Sequence, residues 1–284
     1  MTVRRPLRAR KRFGQHFLAS KWAEKVVEAI APQPGDVFLE IGSGKGALTF
    51  PLAKSGAPIL AVEVDRDLIE DLAPRLPANV TLIGGDILKT DVLPFLTGLQ
   101  PQRPPNTDVA PPKRYRIVGN LPYNLSTPIL FQLLEWQART GLFTDVTVML
   151  QREVAERLAA KPGTKAWGAL SLYLQLDAAI DVPLRLPPGA FAPPPKVHSA
   201  IAHLVFQPRT VRIADQTLFD RLVRTMFSHR RKTLNNVLKA FDPAGAAVLA
   251  IVGIDGQRRP ETLSLAELSR LIDGLAALKR PAVL

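Results

Sequence analysis

No cysteine occurs among the 284 residues. A cysteine nucleophile, a disulfide framework, cysteine-ligated zinc and a cysteine-held iron–sulfur cluster are therefore excluded. Histidine is scarce too. His16, His198, His203 and His229 are scattered without the spacing of a metal-ligand set, so no metal site is expected. Long apolar runs are missing: none reaches the ~18 residues of a membrane span. The longest weakly polar stretch, 244–254, contains Gly245 and Gly253. The basic N-terminus has no apolar segment behind it and does not read as a secretory signal, which makes the cytoplasm the expected compartment. Acidic residues are in deficit, 25 against 37 Lys and Arg, for a net charge of +12. That excess points to a polyanionic partner, nucleic acid before an anionic membrane.

Hydrophobic residues make up 46% of the chain, enough for a substantial core. Short apolar segments at 37–41, 58–64, 80–83, 115–118 and 146–150 read as buried parallel strands. Helical patterns at 47–54, 67–75 and 127–139 lie between most of them, and another at 22–31 precedes them. Repeated β-α units of this kind predict a doubly wound α/β sheet. Residues 199–206 read as a late strand, while 170–176 fit a strand or a buried helix equally well. From about 211 onward only helical patterns remain, at 216–226, 232–241, 245–252 and 264–278. The expected organisation is a sheet domain over 1–210 and a small all-α domain over 211–284. Residues 1–12 carry Arg4, Arg5, Arg8, Arg10, Lys11 and Arg12 and no acid, as a solvated, phosphate-contacting arm would. A proline-rich segment, 101–112, reads as a surface loop without an assigned role.

The first motif is Glu40-Ile-Gly42-Ser-Gly44-Lys-Gly46, which follows the first strand and opens a helix. Such a turn brings backbone N–H groups and a helix N-terminus close to a ligand. It is not a Walker A loop, and it departs from G-x-G-x-x-G because position 47 is alanine. Glu63 lies 21 residues beyond Gly42 at the end of the second strand, where a carboxylate can accept both ribose hydroxyls of a nucleoside. Asp86 follows the third strand, where it can accept from an adenine amino group. Each acid alone reads as a solvated strand end. Together, at the ligand-binding edge of an α/β sheet, they predict an adenosyl ligand. NAD and S-adenosylmethionine both fit at this stage.

The second motif chooses between them. The fourth strand ends in Gly119-Asn120-Leu121-Pro122-Tyr123-Asn124. Pro122 fixes its own φ and makes the turn rigid. The Asn120 side-chain carbonyl, the Leu121 backbone carbonyl and the Tyr123 ring are then held in fixed relation. Two acceptors and one aromatic plate suit a planar base with an exocyclic NH₂. An aryl amine is a weak nucleophile because its lone pair is delocalised. Hydrogen bonds from its protons to carbonyls favour a pyramidal nitrogen with the lone pair aimed at an incoming methyl group. Positioning then carries much of the acceleration, and no strong base is needed. S-adenosylmethionine is the expected cofactor.

With these motifs in order, the chain resembles the ribosomal RNA adenine dimethyltransferase family, in its bacterial small-subunit branch. The resemblance covers nearly the whole chain. It includes 12–18 (Arg-Phe-Gly-Gln-His-Phe-Leu), 40–44, 119–128, 151–155, 191–199 (Phe-Ala-Pro-Pro-Pro-Lys-Val-His-Ser) and 227–234 (Phe-Ser-His-Arg-Arg-Lys-Thr-Leu). It implies a seven-stranded, Rossmann-like class I methyltransferase sheet with a C-terminal helical domain, and a helix at 170–176. It implies dimethylation of two adjacent adenosines near the 3′ end of 16S rRNA, in a small ribosomal subunit or its precursor, by a monomer. By family pattern His16, Leu18, Gly42, Glu63, Asp86 and Asn120 contact the cofactor. Asn120, Leu121, Pro122 and Tyr123 act on the target base, with Phe191 sandwiching it against Tyr123. Many family members have Asn where this chain has His16. The Arg230-Arg231-Lys232 run, beside Arg221, Arg224 and His229, reads as an RNA-backbone contact.

Overall fold

The computed structural model describes residues 15–99 and 113–278. The basic arm and the whole proline-rich segment, with Arg12-Phe13-Gly14 of the first family motif, lie outside the described residues. Two compact units emerge. One comprises the residues up to Ala155 together with Ile180–Phe206; the other comprises Glu156–Ala179 and the residues from Gln207 onward.

The first unit is built on a seven-stranded sheet. Its strands are β1 (Asp36–Ile41), β2 (Ile59–Glu63), β3 (Val80–Gly84), β4 (Arg114–Asn120), β5 (Phe143–Gln151), β6 (Ala178–Leu186) and β7 (Ser199–Phe206). Their order across the sheet is β3-β2-β1-β4-β5-β7-β6. β1 pairs in parallel with β2 and β4, β5 continues in parallel from β4, and β7 runs antiparallel to β5. All six residues of β1 are buried, as a central parallel strand covered on both faces must be. Interleaved are α1 (Ser20–Ile30), α2 (Thr49–Ala53), α3 (Arg66–Leu72), α4 (Leu93–Gly98), α5 (Ser126–Thr140) and α6 (Arg152–Leu158). The start of α3 is set by Asp65, whose carboxylate accepts from the Asp67 N–H. The end of α5 is set by Gly141 at φ 60°.

At the N-terminal end of β1 and β4 lies a buried ionic cluster. Arg116 donates to both Asp145 oxygens at 3.0 and 2.8 Å, to Asp36 at 2.9 Å and to the Ile30 carbonyl at 2.8 Å. The last contact caps the C-terminal end of α1. Burial opposes the charge of Arg116, but the two carboxylates more than offset it and its pKa is raised.

The second unit is helical: α7 (Ala169–Asp177), α8 (Gln216–Ser228), α9 (Leu234–Phe241), α10 (Gly245–Ile251) and α11 (Leu265–Leu278). The sequence suggested one boundary at 210/211. In the structure Glu156–Ala179 belongs to the helical unit, because Trp167, Leu172 and Leu176 share a core with Phe219, Leu222, Met226, Leu238 and Leu271. Residues 170–176, ambiguous by periodicity, are helix α7. Strand β6 escaped the sequence reading. Its alternating exposure and its Asp181, Pro183 and Arg185 lack the apolar run of the central strands.

Candidate active site

The C-terminal ends of β1, β2 and β4 frame a cleft with about 1000 Å³ of empty space. Its wall begins with the glycine loop. Gly42, Gly44 and Gly46 have φ of 77°, 57° and 82°, a backbone region that L side chains rarely adopt. The alternate glycines of the sequence motif are thus required by the turn itself. Gly119, on the neighbouring strand, has a different need. A Cβ there would meet the Ile41 carbonyl oxygen at 2.4 Å, so glycine lets β1 and β4 approach at the edge of the cleft.

Glu63 ties the loop to the next strand. Its carboxylate accepts from the backbone N–H of Gly44 at 2.8 Å and from those of Val64 and Asp65 at 2.9 Å each. Three of its roughly four acceptor positions are therefore occupied by the protein. Burial raises its pKa against the three bonds that lower it. Asp86 is half-buried and accepts from the Leu88 N–H at 3.1 Å, which shapes the turn after β3. Glu40, only 1% exposed, presents a carboxylate oxygen with no hydrogen-bond partner, and the buried Ser43 hydroxyl has none either. Burial pushes the Glu40 carboxyl up to about 7, with the Glu63 charge adding and the Thr49 hydroxyl opposing.

The N-L-P-Y turn forms the opposite wall. Asn120 Nδ2 donates to the His16 carbonyl at 2.8 Å, which leaves Oδ1 as the acceptor end of that amide. The Leu121 carbonyl receives no donor among the described residues. The Pro122 carbonyl accepts from the Leu125 N–H at 2.9 Å and closes the turn into α5. The Tyr123 hydroxyl lies 2.5 Å from Ser199 Oγ, and burial raises the Tyr123 pKa despite that bond. The His16 ring stacks on Tyr123 with centroids 5.6 Å apart and an interplanar angle of 26°.

His16, Leu18, Gly42, Glu63, Asp86, Asn120, Leu121, Pro122 and Tyr123 all line the cleft. Phe191 does not. It is 4% exposed, pairs with Leu18 in a two-stranded ribbon formed by Phe17–Leu18 and Phe191–Ala192, and packs in the core with Ala190 and Leu186. Sequence reasoning missed Ser199 as the partner of Tyr123. Nothing local marks that serine, which merely begins a strand.

Sheet order β3-β2-β1-β4-β5-β7-β6, with a glycine loop after β1 and acids at the neighbouring strand ends, is the architecture of the class I methyltransferases. Two solved structures share the fold. A dimethyladenosine transferase from Plasmodium falciparum aligns with a TM-score of 0.69 at 22% identity, covering 92% of this chain and 98% of that one. The 23S rRNA methyltransferase ErmE aligns at 0.64 and 23%, covering 92% and 99%. The family model for ribosomal RNA adenine dimethylase matches residues 7–277. A ribosomal RNA small subunit methyltransferase A from Pseudomonas fluorescens is 44% identical over 288 residues, 99% of both chains. A protein of the same name from Xylella fastidiosa is 43% identical over 265 residues, 93% of this chain and 94% of its own. The chain belongs to the ribosomal RNA adenine dimethylase family: it is a methyltransferase of adenine in ribosomal RNA. Among the described residues no helix is long and apolar enough to cross a membrane.

Proposed function

We propose that the protein dimethylates the exocyclic amines of two adjacent adenosines near the 3′ end of 16S rRNA, using S-adenosylmethionine. It acts as a cytoplasmic monomer on the small ribosomal subunit or its precursor. The named relatives at 42–44% identity support the small subunit as its target. The cleft suits the cofactor. A zwitterionic amino-acid end needs buried polar groups without partners of their own, which Glu40 and Ser43 supply. Glu63 retains room for one ribose hydroxyl, Asp86 stands at the next strand end, and Gly42 lets the backbone approach closely. His16, Leu18 and Asn120 complete the wall. When bound, the cofactor supplies an electrophilic methyl group on a sulfonium centre.

The chain's own residues then do the positioning. Asn120 Oδ1 and the Leu121 carbonyl accept the two amine protons of the target adenine and hold its nitrogen pyramidal. Pro122 keeps these acceptors in register, and Tyr123 offers its ring to the base. The methylated nitrogen is cationic and therefore acidic, so its proton passes to water without a strong base. Among these observations the Asn120–His16 bond carries the reading, because it decides which end of the Asn120 amide is free to accept. In the helical unit, Arg221, Arg224 and the 230–232 run supply cations for the RNA backbone.

Mass spectrometry of ribosomal RNA from cells lacking the gene tests the proposal. We expect unmethylated adenosines at the two adjacent 16S positions, restored by the intact gene. Retained dimethyladenosine in 16S rRNA overturns it, and loss from 23S rRNA instead transfers the activity to the large subunit.

A further inference from the structure

We infer that His16 is a positioning residue for the target base: its imidazole braces Tyr123 from one face, so that base stacking takes place on a ring already fixed in plane. The inference rests on the proposed role of Tyr123 as the base-stacking ring. A tyrosine ring is free to turn about two side-chain torsions unless its surroundings fix it. Here the hydroxyl is held by Ser199 at 2.5 Å, which fixes the far end of the ring. His16 lies against its face at 5.6 Å and 26°, which opposes rotation about the ring axis.

The brace is itself anchored. His16 Nδ1 is 2.8 Å from the Pro193 carbonyl. A carbonyl only accepts, so Nδ1 carries the hydrogen and the neutral ring keeps Nε2 bare. The His16 carbonyl meanwhile accepts from Asn120 Nδ2. One residue therefore holds two of the three target-side groups of the N-L-P-Y turn, the Asn120 amide through its main chain and the phenol ring through its side chain. Phe191, 4% exposed, is not among the residues that line the cleft and packs with Leu186 and Ala190. A centroid distance of 5.6 Å leaves no space for a base between the two rings, because a sandwiched base needs two contact separations of about 3.5 Å each. The base accordingly stacks on the other face of Tyr123, in a layered order of imidazole, phenol and adenine.

Methyl-transfer kinetics on unmethylated small subunits, with ring-labelled tyrosine NMR on the same proteins, test the brace. The chain has only three tyrosines, so assigning Tyr123 is practical. His16→Ala should lower kcat about tenfold with KM for the subunit unchanged, and should shift the Tyr123 ring signals as the imidazole leaves. His16→Phe, which keeps a ring but not the Pro193 bond, should recover kcat to within about threefold. The proposal fails if His16→Ala keeps wild-type kcat, if the Tyr123 signals do not move, or if His16→Phe is as slow as His16→Ala. Unfolding temperature and cofactor affinity, measured on each variant, separate bracing from loss of the fold or of the cofactor site. A wild-type protein that transfers no methyl group to small subunits refutes the proposed function instead, and the NMR comparison still decides whether His16 braces Tyr123.

Discussion

The two ends of the central strands bury charge in opposite ways. At the N-terminal end, Arg116 meets two carboxylates and a helix-end carbonyl, and Arg114 pairs with the other Asp36 oxygen at 2.5 Å, so each buried carboxylate faces a cation. At the C-terminal end, Glu40, four residues after Asp36 on β1, and Ser43 in the loop that follows are buried with polar atoms left unanswered. Unpaired buried groups are costly, so a fold retains them where a ligand completes them. The satisfied end holds β1, β4, β5 and α1 together. The unsatisfied end is poised for a ligand.

Breaking the satisfied end should have the largest effect. Arg116→Ala leaves Asp145 buried without its cation and Asp36 with Arg114 alone, and should destabilise the protein by about 3–5 kcal/mol. Calorimetry should show Tm lower by roughly 10 °C, while methyl transfer per folded molecule stays near wild type. Tm unchanged would mean that the cluster is incidental.

Relieving the unsatisfied end should do the reverse. Glu40 keeps its proton in the folded state up to about 7 but loses it near 4.5 when unfolded. Between those pH values the unfolded chain binds fewer protons, so stability falls as pH rises, by at most about 3 kcal/mol. The raised pKa of Glu63 acts in the same direction. Glu40→Gln should flatten this slope and be the more stable protein at pH 8, with the difference vanishing near pH 4.5. It should also bind S-adenosylmethionine more weakly. Denaturant titrations across pH and calorimetric binding check both halves, and a slope of wild-type steepness in Glu40→Gln would assign it to another group.

Asn120→Ala removes one of the two acceptors for the amine and should lower kcat by about 100-fold with little change in Tm. Near-wild-type transfer on purified pre-30S particles would remove Asn120 from the reaction. Tyr123→Phe should be mildest. It keeps the ring and its histidine neighbour but loses the Ser199 bond, for about 1 kcal/mol of stability and a few-fold decrease in kcat. A larger effect than that of Asn120→Ala would give the hydroxyl a direct part in the chemistry.

Much of this contrast was visible before the structure. The apolar segments at 37–41 and 115–118 lie inside β1 and β4, and 199–206 matches β7 end to end. These strands announce themselves because burial on both faces demands a nearly continuous apolar run. β6 hid because an alternating, partly exposed strand makes no such demand. The glycine loop and the N-L-P-Y turn were recognisable from spacing, since positive φ and a proline-fixed φ are local requirements. The packing of Phe191 was hidden for a related reason. A sequence match carries the residue type but not the partner it packs against, and pairing with Leu18 puts this ring in the core.

Local spacing and periodicity alone were thus enough for the alternation of strands and helices, the order of the motifs and the acids at the strand ends. Tertiary structure alone decided which groups remain available. The orientation of the Asn120 amide depends on a carbonyl 104 positions away, and the hold on Tyr123 depends on a hydroxyl 76 positions away. Whether Glu40 is paired depends on every neighbour that packs around it. Hydrogen bonds over such separations leave no period in the chain, because they exist only once the sheet has brought its strand ends together.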